Sequence, residues 1–148
     1  MKILVQRVKK ASVEVDKKIV GSINEGLLLF VGFTHTDTEK EIDHLINKVL
    51  NLRIFDDENM VPNLSVLDVN GSILSISQFT LYADAKKGSR PSYIDAMKSS
   101  EATKMYDLFN RKLKEHIKVE TGIFGADMKV ELLNDGPMTI MLEKEAVN

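Results

Sequence analysis

Cysteine is absent from this chain of 148 residues, which excludes disulfides, thiolate catalysis and cysteine-based metal sites. The formal net charge of -2 gives no overall positive field for nucleic acid, so a contact with RNA would need a local basic patch. The three histidines, His35, His44 and His116, are too scattered to form a metal-binding pair. We therefore expect neither a metal nor another cofactor.

Long apolar runs are also absent. No segment approaches the roughly 18–20 residues of a membrane span, and Met1–Arg7 lacks the apolar core of a signal peptide. No serine lies in a Gly-x-Ser-x-Gly motif, and no glycine-rich phosphate loop occurs. These absences favour a cytoplasmic protein without a membrane partner, and the length predicts a single domain over residues 1–148.

Alternating apolar residues predict β-strands in the first third of the chain, with a turn at Asp16-Lys17. The segment 26–33 is apolar on both faces, which is typical of a central, buried strand. Asn70-Gly71 predicts a type I′ hairpin that joins a strand at 66–69 to the next strand of the chain. Two more strands are predicted near the C-terminus, at residues 128–133 and 138–142.

Two helices are predicted between these strands. Thr38 and Glu41 have the spacing of a capping box, and apolar residues then recur at helical spacing along 42–50. A second helix, with Ser100 as its N-cap, extends to about Val119. Together the elements predict an α+β fold, in which two main helices pack on a curved, antiparallel and barrel-like sheet.

The segment 77–83, Ser-Gln-Phe-Thr-Leu-Tyr-Ala, is predicted as a strand that carries two hydroxyls and an amide among large apolar residues. In a strand, Gln78 and Thr80 would share one face, and Ser77 and Phe79 the other. A buried polar group costs about 1–3 kcal/mol unless it is paired. Either neighbouring backbone and water satisfy these groups, or a ligand does.

Two further features allow an ordinary and a functional interpretation. Lys86, Lys87 and Arg90 follow the 77–83 segment, and they form either a solvated loop or a phosphate contact that positions a nucleic acid. Gly136-Pro137 is either an ordinary turn between two strands or part of a binding site. Taken alone, neither feature identifies a function.

Two segments together resemble the D-aminoacyl-tRNA deacylase family. They are Ser-Gln-Phe-Thr-Leu-Tyr-Ala at 77–83 and Asn-Asp-Gly-Pro-Met-Thr-Ile at 134–140. The agreement continues along nearly the whole chain, through Arg7-Val8, Ala11-Ser12-Val13, Gly26-Leu27-Leu28 and Gly88-Ser89-Arg90-Pro91-Ser92. One departure is Met138, where the family pattern leads us to expect a smaller valine.

The resemblance implies a homodimer that hydrolyses the ester between a D-amino acid and tRNA, with both active sites at the subunit interface. Gly136-Pro137 of one subunit, with a cis peptide bond, would enter the pocket of the other subunit, and Met138 would lie beside it. Residues 77–80 would form the facing wall that binds the aminoacylated adenosine of tRNA. Glycine mischarged on tRNA is a related substrate, and the activity is a proofreading step of translation.

The residues themselves limit the mechanism. The 77–83 segment contains no His, Asp, Glu, Lys or Cys, so a nucleophilic Thr80 would lack an activating base. We therefore expect backbone N–H groups near Phe79 and Thr80 to stabilise the oxyanion, with help from the substrate's 2′-OH in activating water. Arg7 would hold the Gly136-Pro137 loop across the interface.

Two other classes of protein remain open from sequence. A non-catalytic module could bind single-stranded nucleic acid through the basic loop, with Phe79 or Tyr82 stacking on bases. A homodimer with a purely structural role would need no pocket. Neither alternative explains Gly136-Pro137.

Overall fold

The computed structural model describes residues 1–147. Its strands are β1 Lys2–Val15, β2 Lys18–Ile23, β3 Gly26–Gly32, β4 Phe55–Asp56, β5 Pro62–Leu64, β6 Ser72–Ser77, β7 Val119–Thr121 and β8 Lys129–Glu143. Its helices are α1 Glu39–Asn51, a 3₁₀ helix at Phe79–Tyr82, and α2 Ser99–Lys114. In this part of the chain, no helix has the length and apolar character that crossing a bilayer requires.

The long strand β1 organises the main sheet, because it pairs along both of its edges. On one edge it pairs with β8 over nearly its whole length. On the other edge its first half pairs with β3 and its second half with β2. The order β2-β1-β3-β6-β7 is completed by β8, and β2 also contacts β6 and β7, so the sheet curves into a nearly closed barrel.

The predicted α+β, barrel-like fold with two main helices is confirmed, but the sheet is mixed rather than antiparallel. The pairs β3–β6 and β6–β7 are parallel. Each of these pairs is joined by a connection that contains a helix, α1 in the first and α2 in the second. A parallel pair needs such a crossover, whereas a tight hairpin can only join antiparallel strands.

The predicted hairpin at Asn70-Gly71 is wrong. Residues 66–70 form turns, in which the Gly71 N–H donates to the carbonyl oxygen of Val66 at 2.9 Å. A Cβ on Gly71 would lie 2.9 Å from Cγ2 of Val66 and 3.2 Å from Cα of Gly26. The glycine is therefore required by close packing, and Asn70 alone adopts positive φ.

The helices differ in how well their ends follow from sequence. The capping box of α1 is confirmed, since Oε2 of Glu41 accepts from both N and Oγ1 of Thr38 at 2.7 Å. Burial would raise the pKa of Glu41, but these hydrogen bonds lower it below the ordinary value. Helix α2 begins at Ser99 after Lys98, without a side-chain cap, so the predicted N-cap at Ser100 is wrong.

Two apolar clusters form on opposite faces of the sheet. The larger one joins both helices to alternate residues of the central strands, such as Leu27, Leu29 and Ile73. The smaller one contains their neighbours Leu28 and Leu74 and fills the other face. The central strand β3 is almost entirely buried, as predicted from its continuous apolar sequence.

Strands β3 and β6 approach each other so closely at Gly26 that a side chain there would clash with backbone. A Cβ at this position would lie 1.8 Å from the carbonyl oxygen of Ser72. We expect Gly26→Ala to lower the free energy of unfolding by about 3 kcal/mol, because the clash is with backbone that cannot rotate away. Urea unfolding would measure this, with Ser22→Ala on exposed β2 as the control. A change of similar size in both variants would contradict the argument.

Candidate active site

The 77–83 segment is not a strand throughout, so that prediction is wrong beyond its first residue. Strand β6 ends at Ser77, and the N–H of Gln78 makes a last bond to the carbonyl oxygen of Val31 at 2.7 Å. The chain then enters the 3₁₀ helix at Phe79. Strand alternation therefore does not apply to the polar side chains of this segment.

The polar side chains of the segment are partly satisfied within the chain. Nε2 of Gln78 donates to Oγ1 of Thr80 at 2.5 Å, across the first turn of the 3₁₀ helix. In the described residues, this amide is the only hydrogen-bond partner of the Thr80 hydroxyl. Among residues 1–147, no carboxylate or imidazole is hydrogen-bonded to the Thr80 hydroxyl, which is the contact that would activate it as a nucleophile.

The backbone donors at the start of the 3₁₀ helix have no partner. The N–H groups of Phe79 and Thr80 make no hydrogen bond to any residue from 1 to 147. The first N–H groups of a helix point outward and find no acceptor within the helix itself. These two donors are therefore available to an oxygen atom of a ligand.

A cavity of about 550 Å³ opens beside this turn. Ser77, Gln78 and Phe79 contribute to one wall, and the chain at 124–128 contributes to another. Its volume falls within the ordinary range of small-molecule sites. Thr80 and Gly136-Pro137 are not part of the lining in this chain. We call this space the Phe79 cavity.

Two exposed aromatic rings stand at the Phe79 cavity. Phe79 is 53% exposed and Tyr93 is 44% exposed, although both line the cavity. Their ring centroids are 5.2 Å apart at an interplanar angle of 69°, which is an edge-to-face contact. Large rings that remain open to solvent beside a cavity are typical of surfaces that a ligand covers.

The basic loop projects next to the rings. Asp84 and Ser92 exchange two backbone hydrogen bonds of 2.8 Å, which close the base of the loop. Lys86, Lys87 and Arg90 are all exposed, and none forms an ion pair with any other residue that the structure describes. Their charges are therefore free to meet an anion from solution.

Tyr82 ends the 3₁₀ helix, and it cannot serve as a base. Burial raises the pKa of its phenol well above the ordinary value of 10.0, and the charges of Asp37, Glu143 and Glu145 raise it further. The phenol is therefore neutral at physiological pH.

Residues 1–147 contain no group of three His, Asp or Glu side chains that could hold a metal ion.

Gly136-Pro137 lies in a bulge of β8 that projects from the sheet. Val8 pairs with Asn134 and Gln6 with Thr139, so β8 contains three more residues than β1 over this stretch. The peptide bond between Gly136 and Pro137 is cis, and both residues are exposed. The two strands predicted at 128–133 and 138–142 are in fact the two halves of β8, separated by this bulge.

Asn134 and Arg7 hold the base of the bulge. Nδ2 of Asn134 donates to the carbonyl oxygens of Arg7 and Met138, at 2.9 Å and 3.2 Å. The Arg7 side chain donates to the carbonyl oxygens of Asp135 and Ile54, at 3.0 Å and 2.5 Å. These contacts of Arg7 lie within its own chain, and the predicted contact across an interface stays a prediction. Sequence reasoning gave Asn134 no role, although it begins the 134–140 motif.

Arg7 is 6% exposed, so removing its charge leaves two carbonyl oxygens without donors. We expect Arg7→Met to lower the free energy of unfolding by about 3 kcal/mol, measured by urea unfolding. Lys9 is the matched control, because its exposed ammonium also lies near Asp135, at 3.6 Å. Lys9→Met should cost less than about 0.5 kcal/mol. Equal losses in the two variants would show that Arg7 does not anchor the bulge.

Comparison with known proteins agrees with this geometry. Residues 4–143 match the model of the family described as D-Tyr-tRNA(Tyr) deacylase. A solved structure named c-Myc DNA Unwinding Element Binding Protein has a TM-score of 0.93 and 40% identity, over 99% of this chain and all of that one (100%). A probable eukaryotic D-amino acid tRNA deacylase has the same fold, with a TM-score of 0.79 at 17% identity, over 95% of this chain and 97% of that chain.

These findings define the class of protein, a hydrolase that acts on aminoacyl-tRNA. The chain belongs to the D-Tyr-tRNA(Tyr) deacylase family, since the family match extends over nearly its whole length. Its activity is that of a D-aminoacyl-tRNA deacylase. The resemblance inferred from residues 77–83 and 134–140 is thereby confirmed.

Proposed function

We propose that the ester of D-aminoacyl-tRNA is hydrolysed beside the Phe79 cavity by main-chain groups, and that L-aminoacyl esters are rejected by Gly136-Pro137 of a second copy of the chain. The observation that carries the first part is the pair of unpartnered N–H groups at Phe79 and Thr80, next to a cavity that the same turn helps to line. The second part rests on the exposed bulge of β8 and on the family resemblance.

In this mechanism the terminal adenosine of tRNA occupies the Phe79 cavity, with Ser77, Gln78 and the exposed ring of Phe79 against it. The ester carbonyl oxygen accepts hydrogen bonds from the N–H groups of Phe79 and Thr80. As water attacks the carbonyl carbon, negative charge grows on that oxygen, and each donor is worth about 10²–10³ in rate. The bond from the carbonyl carbon to the ribose 3′-oxygen then breaks. The attacking water loses a proton with help from the adjacent 2′-OH, and the leaving 3′-oxygen takes up a proton, so that the products are the free amino acid and the 3′-hydroxyl of tRNA.

The side chain of Thr80 has a supporting role in this mechanism. Its hydroxyl is bonded to the amide of Gln78 and has no base beside it, so it fixes the turn rather than attacking the ester. The absence of a titratable group from residues 77–81 also means that no charged side chain of this segment must be desolvated when the ester binds. The basic loop, with Lys86, Lys87 and Arg90, would contact tRNA phosphates.

Chirality would be decided by steric exclusion. A backbone wall formed by Gly136-Pro137 accepts the amino group and Cα–H of a D-residue, whereas an L side chain would collide with main chain. Glycine has no side chain that could collide, so the same wall would admit glycyl-tRNA. Met138 supports the wall, because its partly buried side chain packs on the larger core cluster and its carbonyl oxygen accepts from Asn134.

The reaction itself is tested with tRNA charged with D-Tyr, L-Tyr or Gly, by measuring release of the free amino acid. We expect release from D-Tyr-tRNA and Gly-tRNA and none above the uncatalysed rate from L-Tyr-tRNA. Thr80→Ala keeps its N–H, so its kcat/KM for D-Tyr-tRNA should fall by no more than about tenfold. Replacing the Thr80 N–H by an ester oxygen should cost about 10²–10³-fold. A trapped acyl-Thr80 intermediate would overturn the mechanism.

The shared site is tested by mixing two inactive variants. One variant carries the ester oxygen in place of the Thr80 N–H, which removes a catalytic donor from the cavity. In the other variant, deletion of Gly136-Pro137 removes the bulge. If the bulge of one copy completes the cavity of the other, half of the mixed molecules are heterodimers with one intact site. Co-refolded variants should then recover about a quarter of wild-type activity. No recovery, from a mixture shown to contain heterodimers, would mean that each chain builds its site alone.

A second candidate function has one observation in its favour. The solved structure with 40% identity is named as a protein that binds a DNA unwinding element. A nucleic-acid-binding module of this kind would use the basic loop and the exposed rings, and its affinity would fall steeply with salt. Binding of single strands without cleavage of D-Tyr-tRNA would favour it.

Because the substrate of the first candidate exists where translation occurs, we also propose a cytoplasmic location for the deacylase.

A further inference from the structure

A short turn forms one side of the Phe79 cavity, and its position is not fixed by burial. We call it the Tyr93 turn, residues 93–96, in which the N–H of Ala96 donates to the carbonyl oxygen of Tyr93 at 3.0 Å. Tyr93 and Ala96 line the cavity. Ile94 is 74% exposed, and the ring of Tyr93 makes its aromatic contact with Phe79 at the surface. Hydrogen bonds must therefore hold this turn in place.

The bonds come from the chain that follows β3. Oγ1 of Thr34 donates to the carbonyl oxygen of Asp95 at 2.5 Å. Nε2 of His35 lies 2.6 Å from the carbonyl oxygen of Ile94. A carbonyl oxygen only accepts, so Nε2 of His35 carries the proton, as it does in both the imidazolium and the matching neutral tautomer. The bond therefore does not depend on the charge of the ring.

The segment that carries Thr34 and His35 is itself fixed by hydrogen bonds to the buried core. The N–H of Thr34 donates to Oδ2 of the buried Asp37 at 2.7 Å. The other oxygen of Asp37 accepts from the α-amino group of Met1 at 2.7 Å. The N–H of Met97 donates to the carbonyl oxygen of Phe33 at 3.0 Å, which attaches the end of the Tyr93 turn to the same segment. Thr34 and His35 thus connect the buried core to the exposed wall of the cavity.

We propose that Thr34 and His35 are positioning residues that hold Tyr93 beside Phe79 and so set the affinity of the cavity for the acyl-adenosine end of tRNA. This inference rests on the proposed function, because it assigns that ligand to the Phe79 cavity. Neither side chain lines the cavity or touches the reacting atoms. Their loss should therefore weaken binding and leave the chemical step almost unchanged.

The experiment compares His35→Leu, which has no donor, with His35→Gln, whose amide nitrogen can reach the same carbonyl oxygen. With D-Tyr-tRNA we expect His35→Leu to raise KM about three- to tenfold, the effect of losing one hydrogen bond, with kcat within about twofold. His35→Gln should restore KM. His44→Leu is the control, since His44 is exposed on α1 and away from the turn. Thr34→Val should act as His35→Leu does.

Amide hydrogen exchange measures how firmly the Tyr93 turn is held, and it does not depend on enzyme activity. The amide of Ala96 should exchange faster in His35→Leu than in wild type, and His35→Gln should restore its protection. An unchanged KM in His35→Leu, while wild type cleaves D-Tyr-tRNA, would overturn this inference and leave the proposed function intact. A wild-type protein that does not cleave D-Tyr-tRNA would overturn the proposed function and this inference with it. An equal rise in KM in His35→Gln would also overturn it.

Discussion

The two-sided pairing of β1 is the constraint on which the rest of the structure depends. One edge of this strand positions β3, which in turn positions β6 and the turn at Phe79. The other edge carries β8 and its bulge. The 134–140 segment is therefore attached to β1 directly, and the 77–83 segment indirectly, through β3 and β6. The start of β8 still reaches the Phe79 cavity, where Val130 contributes to the lining, whereas Gly136-Pro137 lies further along the strand and outside it.

The bulge interrupts the hydrogen bonds between β8 and β1, so other contacts must hold the two strands together at that point. Four residues of β8, 135–138, have no partners on β1 at this point, so several backbone groups lose their strand bonds. Arg7 and Asn134 replace those bonds with side-chain donors aimed at carbonyl oxygens. Because Arg7 is also buried among acidic residues, its charge is compensated by Asp135 and Asp56 where it lies. The tip of the bulge can therefore remain exposed without the strand becoming loose.

Some features that depend on nearby residues followed from the sequence, although the Asn70-Gly71 hairpin and the Ser100 N-cap did not. The capping box of Thr38 and Glu41 involves a single turn, and the continuous apolar character of β3 reports burial on both faces. Features that depend on distant partners did not follow. The strand at 77–83 ends early because the last bond of Gln78 is made with Val31, and the parallel pairing of β3 with β6 leaves no trace in periodicity.

The same distinction applies to the site. Phe79, Thr80 and Gly136-Pro137 were predicted as site residues from the resemblance to the family, and they stay predictions. Sequence did not identify Asn134 or His35 as supports, since each acts on a carbonyl oxygen of a residue whose position only the fold determines. A carbonyl oxygen is present at every residue, so no residue type marks the acceptor.

A site whose donors are main-chain N–H groups places unusual weight on such supports. A side-chain catalyst can be re-aimed by a rotamer change, but an N–H moves only with its backbone. The two donors at Phe79 and Thr80 lie in a single short turn, held by Val31 on one side and by the Gln78–Thr80 bond within it. The proposed selection between D and L esters would require the same stiffness, because a wall that yields by an ångström would admit both. The rigidity that β1 gives to both segments is therefore a requirement that the proposed catalysis and the proposed chiral selection would share.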